Sequence, residues 1–176
     1  MKLVGQKVYL KPIALAYAQD YVNWFADQEV LRYTDISPKT FGEEQAWVKR
    51  SIQSEKEEVF NIFIQKNNKL IGNIGVENLD HPERNFLLGI VIGVKSEWGK
   101  GYASDAFHVL LKYLFEVKHA QKLHLFVRVE NEPAISVYKK CGFEIMRKVQ
   151  KFLEKEQCDR DYYEMELESK SYNAKS

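Results

Sequence analysis

The chain has 176 residues, 45% hydrophobic and 29% charged, with 26 Lys and Arg against 25 Asp and Glu for a formal net charge of +1. That length suits one domain with a real core, and the balance excludes a disordered chain and removes the basic surplus of a nucleic-acid-binding domain. The longest apolar run, Phe86 to Val94, is far shorter than the roughly 18 residues a membrane helix needs, so neither nucleic acid nor membrane is an expected partner.

Val8 to Pro12 reads as a short first strand closed by a proline. From Leu15 to Ala26, apolar residues at Ala18, Tyr21, Val22 and Phe25 fall at helical spacing. Thr40-Phe41-Gly42-Glu43 is a capping-box pattern that opens a second helix, with Ala46, Trp47, Ser51 and Ile52 on one face. Between the helices lies a polar segment, Tyr33 to Lys39, broken by Pro38. Two β-rich runs follow, Val59–Ile64 and Lys69–Val76, joined at Asn67-Asn68, where asparagine tolerates the positive φ of a tight hairpin. Phe86 to Val94 is apolar at almost every position, which predicts a central strand buried on both faces.

Ala103, Ala106, Phe107, Leu110, Leu111, Leu114 and Phe115 mark an amphipathic helix, and Lys122 to Val129 alternates as a half-buried strand. A short helix spans Glu132 to Lys140, with Pro133 in its first turn and Gly142 at its end. Two last strands, Phe143–Val149 and Asp161–Leu167, are expected to pair through Glu154–Arg160. The order β-α-α-β-β-β-α-β-α-β-β predicts an α/β fold, a mixed α+β sheet with helices on both faces. Residues 1–168 form one domain in this reading, and 169–176 a polar tail expected to fray.

The N-terminus, Met1 to Lys7, lacks a signal-peptide core, and only two cysteines occur, Cys141 and Cys158, so the expected setting is cytoplasmic. The four histidines lack ligand spacing, and no metal is expected.

Two segments carry chemistry. Trp98-Gly99-Lys100-Gly101-Tyr102-Ala103 joins the apolar strand to the amphipathic helix. Its glycines let the backbone turn sharply beside a ligand, and the helix start adds unpaired N–H groups, a combination suited to phosphate or pyrophosphate. A plain strand-to-helix turn is the alternative. A P-loop is excluded because Gly101 follows Gly99-Lys100 where Ser or Thr is needed and position 94 is Val. The dinucleotide fingerprint is excluded because position 104 is Ser and the strands do not alternate with helices. The second segment is Asn131 to Phe143, where Asn131 ends a strand and either caps the helix or offers its amide to a ligand. Ala134 and Tyr138, four apart, share a helix face. Tyr138 read alone is more commonly a core aromatic with its hydroxyl satisfied at the rim.

Together, in this order, the segments resemble the GNAT superfamily of acyl-CoA-dependent N-acetyltransferases, in the subgroup of ribosomal-protein-alanine and spermidine N-acetyltransferases. The resemblance implies that Trp98 to Ser104, including Lys100, Tyr102 and Ala103, is a pyrophosphate loop for acetyl-CoA. It also implies that the strand end Ile92-Gly93-Val94 pairs edgewise with the pantetheine arm. Asn131 and Ala134 would contact that arm, and Tyr138 would face its sulfur. Trp98 departs from the Arg or Gln of many relatives. Acetyl transfer to an amine then needs a base, an oxyanion donor near Ile92 and a general acid, for which Tyr138 is the candidate. Glu77 is the candidate base, another carboxylate or a water relay remaining open, because Phe86-Leu87-Leu88 lacks the glutamate of the subgroup. Tyr33 and Asp35 fall in the segment expected to read the acceptor. One acid there favours a peptide N-terminus or small amine over a polyamine such as spermidine. A non-catalytic acyl-CoA sensor is the rival from another class, and a homodimer is a possible assembly.

Overall fold

The computed structural model describes residues 1–173. Its strands are β1 (Leu3–Val4), β2 (Val8–Pro12), β3 (Glu57–Ile64), β4 (Leu70–Glu77), β5 (Asn85–Ile92), β6 (Lys122–Arg128), β7 (Glu144–Leu153) and β8 (Cys158–Glu168). The helices are α1 (Ala18–Phe25), α2 (Gln28–Leu31), α3 (Phe41–Gln53), α4 (Tyr102–Glu116), α5 (Glu132–Lys140) and α6 (Ser169–Asn173). All eight strands form one sheet in the order β1-β2-β3-β4-β5-β6-β8-β7. Every pairing is antiparallel except β5 with β6.

Alternation sets the two faces. Phe60, Ile62, Ile74, Val76, Phe86 and Leu88 face α4, whose Phe107, Leu110, Leu111 and Leu114 complete the larger core. On the opposite face, Tyr21, Trp24 and Phe25 of α1 join Val48 of α3 in a second cluster that packs on Val59 and Val91. Thr40 closes α3 with the capping box expected, its side chain accepting from the Glu43 N–H while the Glu43 carboxylate accepts from the Thr40 N–H. Asn68 and Gly142 take the positive φ their turns require. No helix among the described residues is long and apolar enough to cross a membrane.

The structure departs from the sequence reading in four places. β1 and α2 are too short for periodicity to reveal, two and four residues. β7 and β8 run longer, to Leu153 and from Cys158, because their own ladder continues past the apolar residues. Residues 169–173 form a short helix where fraying was expected, and Tyr172 stacks on Phe115; residues 174–176 of the expected tail lie outside the described residues. β5 is not buried on both faces: Phe86 and Leu88 are buried, Gly89 is exposed, and Ile90, Val91 and Ile92 are half-buried. One side of this central strand lines a cleft.

Just beyond β5, the chain is pressed against α1. A Cβ on Gly93 would lie 2.1 Å from the Trp24 ring, whereas one on Gly89 would meet nothing within 4 Å. Gly93→Ala is expected to lose about 1–3 kcal/mol of stability by overpacking, and Gly89→Ala to stay within about 0.5 kcal/mol of the parent. Urea denaturation of the two variants checks this.

Candidate functional site

The cleft originates in the pairing of β5 with β6. They are in parallel register only at Asn85, Phe86 and Leu87, opposite Lys122, Leu123 and His124. Beyond Leu87, β5 stays with β4 while β6 stays with β8, so the two strands part. The Gly93 N–H donates to the Ile71 carbonyl at 2.8 Å, so its peptide's carbonyl, that of Ile92, points the other way, into the gap. By antiparallel alternation the amides of Ile90 and Ile92 face the gap, and those of Gly89 and Val91 face β4. The gap opens a cleft of about 1710 Å³.

At its upper end the chain turns into α4 with positive φ at Gly99 and Gly101, 75° and 81°. Gly101 is the N-cap, and no side chain caps the helix start. The turn is anchored from afar. Asp105, in the first turn of α4, accepts from the backbone N–H groups of Gln6, Lys7 and Val8 at 3.1, 2.7 and 2.8 Å. The Lys7 Nζ donates to the Lys100 carbonyl at 3.0 Å. Trp98, 41% exposed, donates its Nε1–H to the Ile92 carbonyl at 2.7 Å, fastening the strand end to the turn.

Thirteen of the candidate residues named from the sequence line this cleft, and three do not. Ile92, Trp98, Gly99, Gly101, Tyr102, Ala103 and Ser104 line it at the turn, and Asn131, Ala134 and Tyr138 line it from α5. Glu77, Tyr33 and Asp35 line its other end. Gly93 and Val94 do not: both N–H groups are directed to the Ile71 carbonyl, so the free strand edge lies earlier, at Ile90 and Ile92. Lys100 is not part of the cleft lining either; its ammonium pairs with Glu97 at 2.8 Å.

Asn131 caps α5, its Oδ1 accepting from the Ala134 N–H at 3.3 Å, which leaves Nδ2 for a ligand. Tyr138 is buried edge-on to Phe107, and its hydroxyl has no protein hydrogen-bond partner among the described residues. Burial holds that phenol well above its ordinary range, so it stays protonated. Glu77 is raised by desolvation and by Glu57, its direct partner across the β3–β4 ladder.

The acids between α1 and α3 are engaged. Lys95 bridges Asp27 at 2.8 Å and Glu29 at 2.9 Å, and holds Asp27 below the usual carboxylate range. The Tyr162 hydroxyl donates to Asp35, and the Lys155 Nζ donates to the Leu31 carbonyl at 2.7 Å, tying the segment after α2 to the β7–β8 hairpin. Sequence reasoning missed Lys7, Asp105, Tyr162 and Lys155 because each acts through a partner remote in the chain. Asp105 carried only the local signal of an acid in a helix's first turn.

Behind the acceptor wall lies a buried polar layer. Glu44 and Ser51 of α3 share a helix face with Val48, and Asn61 of β3 is the direct partner of Asn73 on β4. Both Glu44 oxygens, the Ser51 hydroxyl and the Nδ2 groups of Asn61 and Asn73 are buried without a partner.

Comparison with known proteins points one way. The model of the acetyltransferase (GNAT) domain matches residues 7–144. A spermidine N(1)-acetyltransferase of Escherichia coli K12 is 30% identical over 145 residues, covering 80% of this chain and 75% of its own. The N-acetyltransferase p20 of Bacillus licheniformis is 25% identical over 146 residues, covering 81% and 82%. Among solved structures, a GNAT-family acetyltransferase from Bacillus anthracis superposes with a TM-score of 0.85 at 19% identity, covering 97% of this chain and 99% of that one. A Vibrio cholerae spermidine N-acetyltransferase in complex with CoA and spermine gives 0.85 at 22% identity, covering 95% and 98%.

Glu44 gives the back wall a pH signature. Desolvation raises its carboxyl, so the folded state favours the protonated form. Its contribution is complete below the unfolded carboxylate range and is lost as pH rises through the folded value. Glu44→Gln, which cannot ionise, is therefore expected to raise the thermal midpoint at pH 8 by roughly 2–6 °C, about 1–2 kcal/mol. The gain should vanish near pH 4, and midpoints measured across that range check it.

Proposed function

The chain belongs to the GNAT acetyltransferase family and is an acyltransferase, and from that premise we propose that it moves the acetyl group of acetyl-CoA to a primary amine within one ternary complex. One observation carries the reading: the unpaired β5 edge runs straight into the double positive-φ turn at the start of α4, with an unpartnered tyrosine hydroxyl in the same cleft.

The residues suit acetyl-CoA. Backbone N–H groups from Gly99 to Ser104 would hold the pyrophosphate, and the glycines leave its approach clear: a Cβ on Gly99 would meet nothing within 4 Å. The amides of Ile90 and Ile92 would pair with the pantetheine arm, since the Ile92 carbonyl is already taken by Trp98. Asn131 Nδ2 would reach the arm, and Ala134 leaves room beside it.

The amine is protonated at neutral pH and must lose a proton before it attacks. Glu77, raised by burial and by Glu57, is a stronger base than an ordinary carboxylate, and a water between it and the amine would serve equally. The amine nitrogen bonds to the thioester carbon, and the electron pair displaced onto oxygen is met by a β5 N–H directed into the gap. As the C–S bond breaks, sulfur takes the Tyr138 proton, which burial has kept in place. Positioning two substrates in one cleft supplies much of the remaining acceleration.

The acceptor we favour is a peptide N-terminus or a small amine. Spermidine-acetylating relatives at 30% identity support a polyamine as the second reading. Against it, Asp27, Glu29 and Asp35 are all engaged by protein groups, so that segment offers a polycation no free acid.

Tyr138→Phe separates a catalytic hydroxyl from a core ring. It should leave CoA affinity intact while kcat and kcat/KM fall together by roughly 10²–10⁴, toward the lower end because a thiol is already a fair leaving group. Calorimetry with CoA and steady-state thiol release on the same variant check this. A destabilised but fully active variant would remove Tyr138 from the mechanism.

A further inference from the structure

The floor of the cleft beside Glu77 is a hollow flanked by two polar side chains. Gly75 of β4 and Gly89 of β5 are direct cross-strand partners, and both line the cleft. Alternation puts Asn73, Gly75 and Glu77 on one face of β4; a Cβ on Gly75 would touch Val59 at 3.3 Å but one on Gly89 would meet nothing within 4 Å, so the open space lies over Gly89, with Asn73 at one side and Glu77 at the other. Four residues of strand separate those two Cα atoms by roughly 13 Å. The reach of the two side chains, two hydrogen bonds and a short bifunctional molecule fill that span.

Asn73 is 8% exposed and lines the cleft, yet its Nδ2 has no partner. Its cross-strand neighbour explains how that donor is presented. The Tyr21 hydroxyl donates to Asn61 Oδ1 at 2.6 Å, which leaves Asn61 Nδ2 as the free end of that amide. Asn61 and Asn73 are direct partners across the β3–β4 ladder, and the Nδ2 groups of both are buried without an acceptor. A half-turn of the Asn73 amide about χ2 resolves both: its Oδ1 accepts from Asn61 Nδ2, and its own Nδ2 swings to the cleft. Tyr21, Asn61 and Asn73 then form a directed chain that ends in one unmet donor beside the hollow. Once a ligand has displaced water from the cleft, a donor left unpaired there is costly, so the site rewards a ligand that brings an oxygen and penalises one that does not.

We propose that Asn73 reads the acceptor, donating to an oxygen on the carbon next to the amine-bearing carbon while the amine faces Glu77. The substrate class is thus an α-amino carbonyl compound, either the first residue of a peptide or a free amino acid or its amide. The proposal rests on the acetyl-transfer reading and narrows it. A polyamine carries only nitrogen donors and has nothing to offer Asn73.

The test is thiol release from acetyl-CoA with alaninamide, an alanyl dipeptide amide, alanine, sec-butylamine and spermidine, using the parent and Asn73→Leu. The expected result is a parent preference, in kcat/KM, for alaninamide over sec-butylamine, which has a similar carbon frame without the oxygen. Asn73→Leu should reduce that preference about tenfold through the acceptor KM, with the acetyl-CoA KM unchanged. Amine basicity cancels when the ratio is compared between variants. Tyr21→Phe, which frees the Asn61 amide, should reduce the preference in the same direction by less, and it carries the test if Asn73→Leu does not fold. The dipeptide, amide and free acid arms tell a peptide from an amino acid as the source of the oxygen. A preference unchanged in both variants, or a parent that works best on spermidine or sec-butylamine, overturns the proposal. Absence of thiol release by the parent with every amine, despite bound acetyl-CoA, overturns the acetyl-transfer reading beneath it.

Discussion

Two strands that begin as parallel neighbours and then separate govern the rest of this molecule. β5 meets β6 at three residue pairs, then each follows its other neighbour. An unpaired strand edge is ordinarily a liability, because its N–H and C=O groups invite any other chain to add on. Here the edge is turned inward onto the cleft, and in the proposed reading its open groups would serve one extended ligand as a template. The burial pattern of β5 follows directly: Phe86 and Leu88 remain in the core, while the residues after them border open space.

That template works only if the turn after it is held still. The backbone of Gly99 and Gly101 is in the left-handed region, where glycine's freedom is itself a source of mobility. Three fixtures restrain it: Trp98 on the Ile92 carbonyl, Lys7 on the Lys100 carbonyl, and Asp105 on three N–H groups of the β1–β2 turn. Gly5 makes the last of these possible, since a Cβ there would lie 2.5 Å from the Asp105 carboxylate. The N-terminal segment is therefore part of the anion-facing end of the cleft, although it lies far from that turn in sequence.

Most of the elements were legible in the chain because their signals are local. Thr40 and Glu43 declare a capping box, Ala103 to Phe115 a helical stripe, and Leu123 to Val129 a strand. The glycine turn and the Asn131–Tyr138 helix were legible for the same reason, and the structure brings both to one cleft. What stayed hidden depends on register. An apolar run such as Phe86–Val94 does not disclose that its neighbour departs after Leu87, so it reads as a fully buried strand; the edge that the resemblance implied at Ile92-Gly93-Val94 lies instead at Ile90 and Ile92. Nor does sequence show that Asn61 and Asn73 are opposite each other, or that Tyr162 reaches Asp35.

The two ends of the cleft differ in kind. At the turn, backbone groups and a helix start suit a phosphorylated ligand whatever the side chains. At the acceptor end, side chains decide: Glu77 beside the hollow over Gly89, the amide chain ending at Asn73, and acids already held by Lys95 and Tyr162. Both ends depend on the parted strands, and amide hydrogen exchange with and without CoA examines that dependence most directly. The account predicts that CoA slows exchange at the Ile90 and Ile92 amides, which face the gap, while Val91, bonded toward β4, changes little. CoA binding that leaves Ile90 and Ile92 exchanging at their original rates would contradict it.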